Sequence, residues 1–422
     1  VRYATGSGWV ESAAARAHGG LLRRAHLCSP ADFTTIAVEE ARALGVDELV
    51  IYLADHVERT LVPMPGRHTA DRQPLSVEGT LGGRAYSTSS VLEVGSGSPL
   101  QTRLWIPLLD GTHRLGVVEV GLRPALGEVS DALVEACERY VHLLAQVSVS
   151  KAAYGDIVEF VRRTRPLSVA GELQRAQLPP ATFATDRLAL AALLEPVEAG
   201  GGDGYDYAAN GDTAHLAVLS AHGEGVAAAT STALALAAYR SGRRALLGLE
   251  ETWSLVDGAL TAAPRPVTAV LAELDLGSGQ LRWLSAGHAA PSLLRGGRPV
   301  RAGDAPAGPP LGAGAGAVRA GEPAVVRWAL EPGDRLLLHT PGLATATTPQ
   351  GERLDRDALC RLVERYDAAQ GPAETLRRLR HAVLGPGSAL AGDATALLLE
   401  WRGGHERTLV PALPRRARQP VG

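Results

Sequence analysis

The chain of 422 residues has a single lysine, Lys151, a single methionine, three cysteines and only 4% aromatic side chains. Cys28, Cys137 and Cys360 stand far apart and make no metal-ligand spacing. An odd, sparse set of thiols excludes a disulfide framework and fits a reducing compartment. Neither sign of charge dominates, since 42 basic against 45 acidic residues leave a net charge of −3. That balance lacks the electrostatic footprint of a nucleic-acid partner or an anionic membrane. No apolar run is long enough to span a bilayer, and the segment ALALAAYRSGRR stops at arginines. The first twenty residues have no continuous apolar core of the signal-peptide kind. The expectation is a cytoplasmic protein with no nucleic acid and no membrane among its partners.

What is present is a chain that is 45% hydrophobic and rich in glycine, alanine and arginine. The skew reads as GC-rich coding of the actinobacterial kind. The length predicts two or three domains. An alanine- and arginine-rich helix is expected at about residues 9–26, within an N-terminal helical extension over 1–28. SPADFTTIAVEEARALG then opens with a good helix start and keeps helical period to Gly45. ELVIYLAD and TLVPMP read as strands, and GTLGGRAYSTSSVLEV as a helix followed by a strand. In TRLWIPLLDGTHRLGVVEVGL two apolar, β-rich runs flank the hairpin turn Asp110-Gly111-Thr112.

This order of helix, strands, helix and terminal hairpin resembles a GAF domain, a small α/β sensory sandwich, over residues 29–127. The resemblance puts the two runs around Asp110-Gly111 at the centre of a sheet and allows a small-molecule ligand. Residues 128–165 read as one connector helix, because Leu133, Val134, Val141, Leu144, Val147, Ile157, Val158 and Val161 keep a helical stripe. Such a stripe suits a homodimer seam or, equally, packing on the helix's own domain.

From Pro166 seven segments follow in order: RPLSVAGELQRAQLPP, LLEPVEAGGGDGYDYAANGD, LAVLSAHGEGVAAA, VTAVLAELDLGSGQLRWLSAGHAAPSLLRGG, GPPLG, LEPGDRLLLHTPGLATATTPQGE and AGDATALLLEW. Read alone they are strands, tight glycine turns and an alanine-rich helix, with DRLLLHT and TALLLEW as buried strands. Together they resemble the type 2C serine/threonine phosphatase family, in the branch of the sporulation stage II E phosphatase, over residues 166–402. The resemblance implies an α+β fold in which two antiparallel sheets pack face to face with helices outside. It also implies Mn2+ or Mg2+, held by aspartates at the strand ends and activating a water for attack on phosphorus. Residues 403–422 read as a disordered tail.

Carried over residue by residue, the family pattern keeps Gly201, Gly202 and Asp203, and Asp203 would be the metal and catalytic carboxylate. Ser220, Pro341 and Gly392 stand where the family has three further aspartates, so one of four expected carboxylates remains. Asp206, Glu224 and Asp393 are expected as supporting residues around the site. His288 and His339 are expected as packed histidines. The resemblance implies a phosphorylated anti-sigma-factor antagonist, or a similar phosphoprotein, as partner. The ligand count predicts weak or absent hydrolysis. An active phosphatase with non-standard ligands, and a ligand-binding sensor or dimerisation scaffold, are the alternative readings.

Overall fold

The computed structural model describes residues 7–66, 69–95, 102–123, 129–197, 200–300, 308–313, 324–366, 371–385, 387–403 and 417–418. The chain divides into two compact units, residues 1–166 together with 411–422, and residues 167–410.

In the first unit the strands are β1 (Val46–Ala54), β2 (Thr60–Pro63), β3 (Leu75–Ser76), β4 (Leu92–Gly95), β5 (Thr102–Asp110) and β6 (His113–Leu122). Their antiparallel order is β4-β5-β6-β1-β2-β3, so the hairpin expected around Asp110-Gly111-Thr112 is central. Gly111 takes the left-handed φ of 57° that this tight turn needs. The helices are α1 (Ser7–His26), α2 (Phe33–Ala41), α3 (Leu81–Thr88), α4 (Asp131–Ala152) and α5 (Ile157–Arg162). Strand alternation sends Leu49, Ile51 and Leu53 into a core shared with α1, α2 and α4. Val50, Tyr52 and Ala54 face the other way, onto Tyr86 of α3 and Trp105.

Two expectations are corrected in this unit. The expected N-terminal helix forms as α1, but it is no separate extension, because its Val10, Ala13, Ala14, Ala17, Leu21 and Ala25 are buried in the common core. The connector helix is not one helix either. It runs from Asp131 to Ala152, stops over Ala153–Asp156, and resumes as α5. Its stripe, including Leu133, Val134, Val141 and Leu144, is consumed by the unit's own core. Gly155 weakens helix continuation at the break. After it α5 gains a site on the β1–β2 turn: Arg162 Nε donates to the Ala54 carbonyl at 3.1 Å, and His56 N donates to the Arg162 carbonyl at 3.2 Å. His56 Nε2 also meets Glu159 at 3.1 Å. Lys151 Nζ donates to the Cys28 carbonyl at 3.0 Å, fastening the end of α4 to the segment after α1.

The second unit opens with α6 (Val169–Arg175) and contains β7 (Thr182–Ala184), β8 (Leu188–Glu195), β9 (Asp203–Asn210), β10 (Thr213–Ala221), α7 (Gly225–Arg244) and α8 (Leu249–Leu260). It continues with β11 (Val267–Asp275), β12 (Gln280–Ala286), β13 (Ser292–Arg295), β14 (Arg298–Val300), β15 (Val326–Ala329) and β16 (Arg335–His339). It closes with α9 (Pro341–Ala344), α10 (Arg356–Arg365), α11 (Pro372–Val383) and β17 (Ala394–Trp401). One antiparallel sheet has the order β15-β12-β11-β10-β9, the other β14-β13-β16-β17-β8-β7.

The two sheets pack through one apolar core that includes Tyr205, Val218, Val270, Trp283, Leu338, Leu397 and Trp401. On their outer faces α7 and α8 cover the first sheet, and α10 and α11 cover the second. The result is the four-layer helix–sheet–sheet–helix sandwich implied by the resemblance. DRLLLHT and TALLLEW become β16 and β17, neighbours deep in the second sheet. Of the expected disordered tail, residues 404–416 and 419–422 lie outside the described residues; Ala417–Arg418 pair parallel with Leu92–Glu93 of β4. No described helix is long and apolar enough to cross a membrane.

Candidate functional site

The ends of four strands build one cleft. β9 begins at Asp203, which sits directly opposite Ser220 of β10. After β10 the chain turns through Gly223 and Gly225, both at left-handed φ, and enters α7. β16 ends beside Thr340 and Pro341, and β17 starts just after Gly392 and Asp393. The cleft between these ends is about 580 Å3 and is lined by Asp203, Ser220, Glu224, Pro341, Gly392 and Asp393, among others. Sequence positions nearly 200 residues apart therefore meet, as in the Asp203–Asp393 pair.

Asp203 is buried, with 2% of its surface exposed. Its Oδ2 accepts from Thr340 Oγ1 at 2.6 Å and Thr395 Oγ1 at 2.8 Å, and Ser220 stands directly opposite on β10. Thr395 N in turn donates to Thr340 Oγ1 at 3.0 Å. One carboxylate thus joins β9 of one sheet to β16 and β17 of the other. Burial, the largest influence, pushes its pKa up to about 7; the Thr340 and Ser220 hydroxyls oppose the shift and Asp393 adds to it.

Asp393 turns its carboxylate away from the cleft's centre and into backbone. Oδ1 accepts from Val197 N at 2.9 Å, and Oδ2 accepts from Gly201 N at 2.9 Å and Gln174 Nε2 at 2.8 Å. Gln174 Nε2 also donates to the Asp203 carbonyl at 2.8 Å, so α6 is anchored beneath both aspartates. Gly201, at φ 101°, lets the loop before β9 adopt the turn that presents this N–H. Pro341 occupies the first turn of α9. A Cβ at Gly342 would collide with the Asp393 carbonyl, so this approach requires glycine.

Glu224 is exposed at the rim, at the N-cap position of α7, and its side chain makes no capping bond. Asp206, expected near the site, is elsewhere. Residues alternate along β9, so Asp206 points to the face opposite Asp203 and is buried against α7, paired with Arg240 at 3.0 Å and Arg243 at 2.9 Å. His288 is buried, with Nδ1 3.0 Å from Thr268 Oγ1 and Nε2 3.0 Å from the His339 carbonyl. Burial depresses it to about 4, so it is a neutral structural bridge at neutral pH. His339 is likewise buried and lowered by burial.

Sequence reasoning missed Thr340, Thr395 and Gln174. The two threonines flank motif positions at which a carboxylate is absent, and that coincidence was the available signal.

These donors do not suit the two hard cations that the resemblance implies. Such ions require several oxygen ligands directed at one point. Here Asp203 is engaged by two hydroxyls and Asp393 by N–H donors. Among the described residues no group of three or more His, Cys, Asp or Glu side chains could hold a metal ion. What the arrangement does chemically is tie the Asp203 carboxylate to neutral hydroxyl donors at the floor of an open cleft.

Residues 210–402 match the family model described as stage II sporulation protein E (SpoIIE). No curated protein matches the chain. Among solved structures, the RsbU and RsbW domains of a Mycobacterium tuberculosis protein are 26% identical, over 51% of this chain and 62% of that one, with a TM-score of 0.44. This chain therefore spans less than two thirds of that structure. The SiaA phosphatase domain of Pseudomonas aeruginosa is 22% identical over 55% of this chain and 93% of that one, with a TM-score of 0.45. A GAF domain from an Acinetobacter phosphoenolpyruvate-protein phosphotransferase is 18% identical over 35% of this chain and 96% of that one, with a TM-score of 0.29.

Proposed function

We propose that this chain, whose residues 210–402 carry a phosphatase domain of the stage II sporulation protein E kind, is a regulatory protein that binds a phosphoprotein in a partner-switching pathway, with weak or no hydrolysis. One observation carries the reading: the single carboxylate left at the family's metal positions, Asp203, already accepts hydrogen bonds from Thr340 and Thr395. Without a cluster of anionic oxygens there is nothing to assemble a metal-bound hydroxide or to neutralise charge on a reacting phosphoryl group. The cleft nevertheless stays open at about 580 Å3. That leaves room for a phosphoserine or phosphothreonine segment, of an anti-sigma-factor antagonist or a protein like it, under control of the GAF-like unit.

The test is a phosphatase assay with manganese, on an aryl phosphate and on a phosphorylated antagonist protein. No turnover is expected, alongside retained binding of the phosphoprotein. Manganese-dependent turnover that disappears in Asp203→Ala would overturn the reading, as would two-site manganese binding at micromolar affinity by calorimetry. One observation favours the alternative of an active enzyme with unusual ligands: Glu224 lines the same cleft and its side chain caps nothing.

A further inference from the structure

In the first unit the β1–β2 turn, Asp55 to Arg59, presents a carboxylate in an unusual way. Glu58 has φ 54°, a left-handed conformation that a residue with a Cβ seldom adopts. The turn is nonetheless well fastened: Glu58 N donates to the Asp55 carbonyl at 3.0 Å, and Asp55 Oδ1 accepts from Arg59 N at 2.8 Å. The effect is to aim the Glu58 side chain at the end of the sheet. There its Oε2 accepts from Tyr86 OH at 2.9 Å and from the Arg114 guanidinium at 2.9 Å. Arg114 lies 4.8 Å over the Tyr86 ring and its side chain is only 6% exposed, whereas that of Glu58 is 21% exposed. Arg162 adds a second guanidinium to the field felt there by Tyr86 and His113.

A second ion cluster of the unit is built differently. There Arg72 and Arg103 face Glu48 and Glu119, and three of the four residues sit on regular strands or directly across from them. At Glu58 the cradle of Arg114 and Tyr86 comes from β6 and α3, while the carboxylate comes from a turn in an unfavourable conformation. The cradle comes from regular elements and is buried at Arg114, while its occupant is partly exposed to solvent.

We propose that Arg114 and Tyr86 form a binding site for a small monocarboxylate, and that Glu58 is its displaceable internal occupant. A ligand that replaces the Glu58 side chain has room for a carboxylate and about two carbons, the size of acetate or propionate. It would make the same two charge-assisted hydrogen bonds and release Glu58 from its left-handed conformation. The consequence is local and directional, because the turn that moves is the one holding α5. Ala54 and His56 receive Arg162 and Glu159 from that helix. Ligand binding would loosen α5 from the sheet.

The experiment titrates the full chain with sodium propionate against sodium chloride at equal ionic strength, following hydrogen exchange in residues 54–63 and 157–162. Wild-type protein should respond saturably, with faster exchange in both segments. Glu58→Ala should bind propionate at least tenfold more tightly, and Tyr86→Phe should weaken binding in either background. Should Arg114→Gln fold, it should abolish the response; Tyr86→Phe keeps the test decisive if it does not. A response confined to Glu58→Ala would mean that the carboxylate is a fixed ion pair and would overturn the proposal. So would equal affinities for wild type and Glu58→Ala, or indifference to Tyr86→Phe.

Discussion

Replacing Asp203 by asparagine keeps the side chain's size and one hydrogen-bond acceptor but removes its titration, and the resulting change in stability with pH can be worked out. In the folded chain the carboxyl is pushed from 3.8 to about 7, chiefly by burial. A raised folded pKa means that the folded state holds the proton more tightly than the unfolded state. This contribution is fully present below about pH 4 and is lost as pH rises through about 7. A separation of about three pH units corresponds to about 4 kcal/mol at roughly 1.4 kcal/mol each, as an upper figure. The assay is urea unfolding of both proteins between pH 4.5 and 8, read by exchange protection of β9 and β17 amides. Titrating groups that do not interact with Asp203 are common to both proteins and cancel in the difference. Wild type should lose stability relative to Asp203→Asn across this range. If carboxylate and metal were instead partners, manganese would stabilise wild type increasingly as pH rises, because the metal competes with the proton. A pH-independent difference between the two proteins, or that manganese-dependent gain, would refute the reasoning.

Two further outcomes follow from packing and hydrogen bonding. Gln174→Leu should destabilise the second unit by about 1–3 kcal/mol, because it strips a donor from the buried Asp393 carboxylate; denaturant unfolding compared with Gln174→Glu would check it, and an unchanged midpoint would count against the anchor. Deleting residues 1–28 should unfold the first unit. Val10 and Leu21 alone contribute roughly 3–6 kcal/mol of burial, comparable with the whole stability of many domains. A deletion variant that still melts cooperatively would contradict this.

Much of this was legible in sequence because it depends on local patterning. The turn at Asp110-Gly111 and the apolar strands DRLLLHT and TALLLEW carry their geometry in a few adjacent residues. The ordered motifs likewise led to the residues that line the cleft. Features decided by distant packing were not legible. A stripe of Leu and Val cannot say whether it faces a second copy or its own sheet, and in α4 it faces the sheet. The break at Ala153–Asp156 reflects what α5 gains on the β1–β2 turn, roughly a hundred residues earlier. Asp206 was partly readable: strand alternation alone separates it from Asp203, but its arginine partners on α7 required the fold. The hydroxyl cage of Asp203 needed the side-chain chemistry of Thr340 and Thr395 as well as the motif positions themselves.

The pairing of β8 with β17, Leu188 opposite Trp401, has a consequence for biogenesis. β17 sits between β16 and β8, so the second sheet remains in two pieces until the last strand of the unit has left the ribosome. Closing so long a loop is entropically costly and slow, and the unpaired edges of β8 and β16 are exposed meanwhile. Thr395, which holds Asp203 at the cleft, arrives on that same strand. The cleft is therefore among the last features to form during synthesis, and truncation before residue 394 should leave an aggregation-prone half sandwich rather than a smaller folded domain.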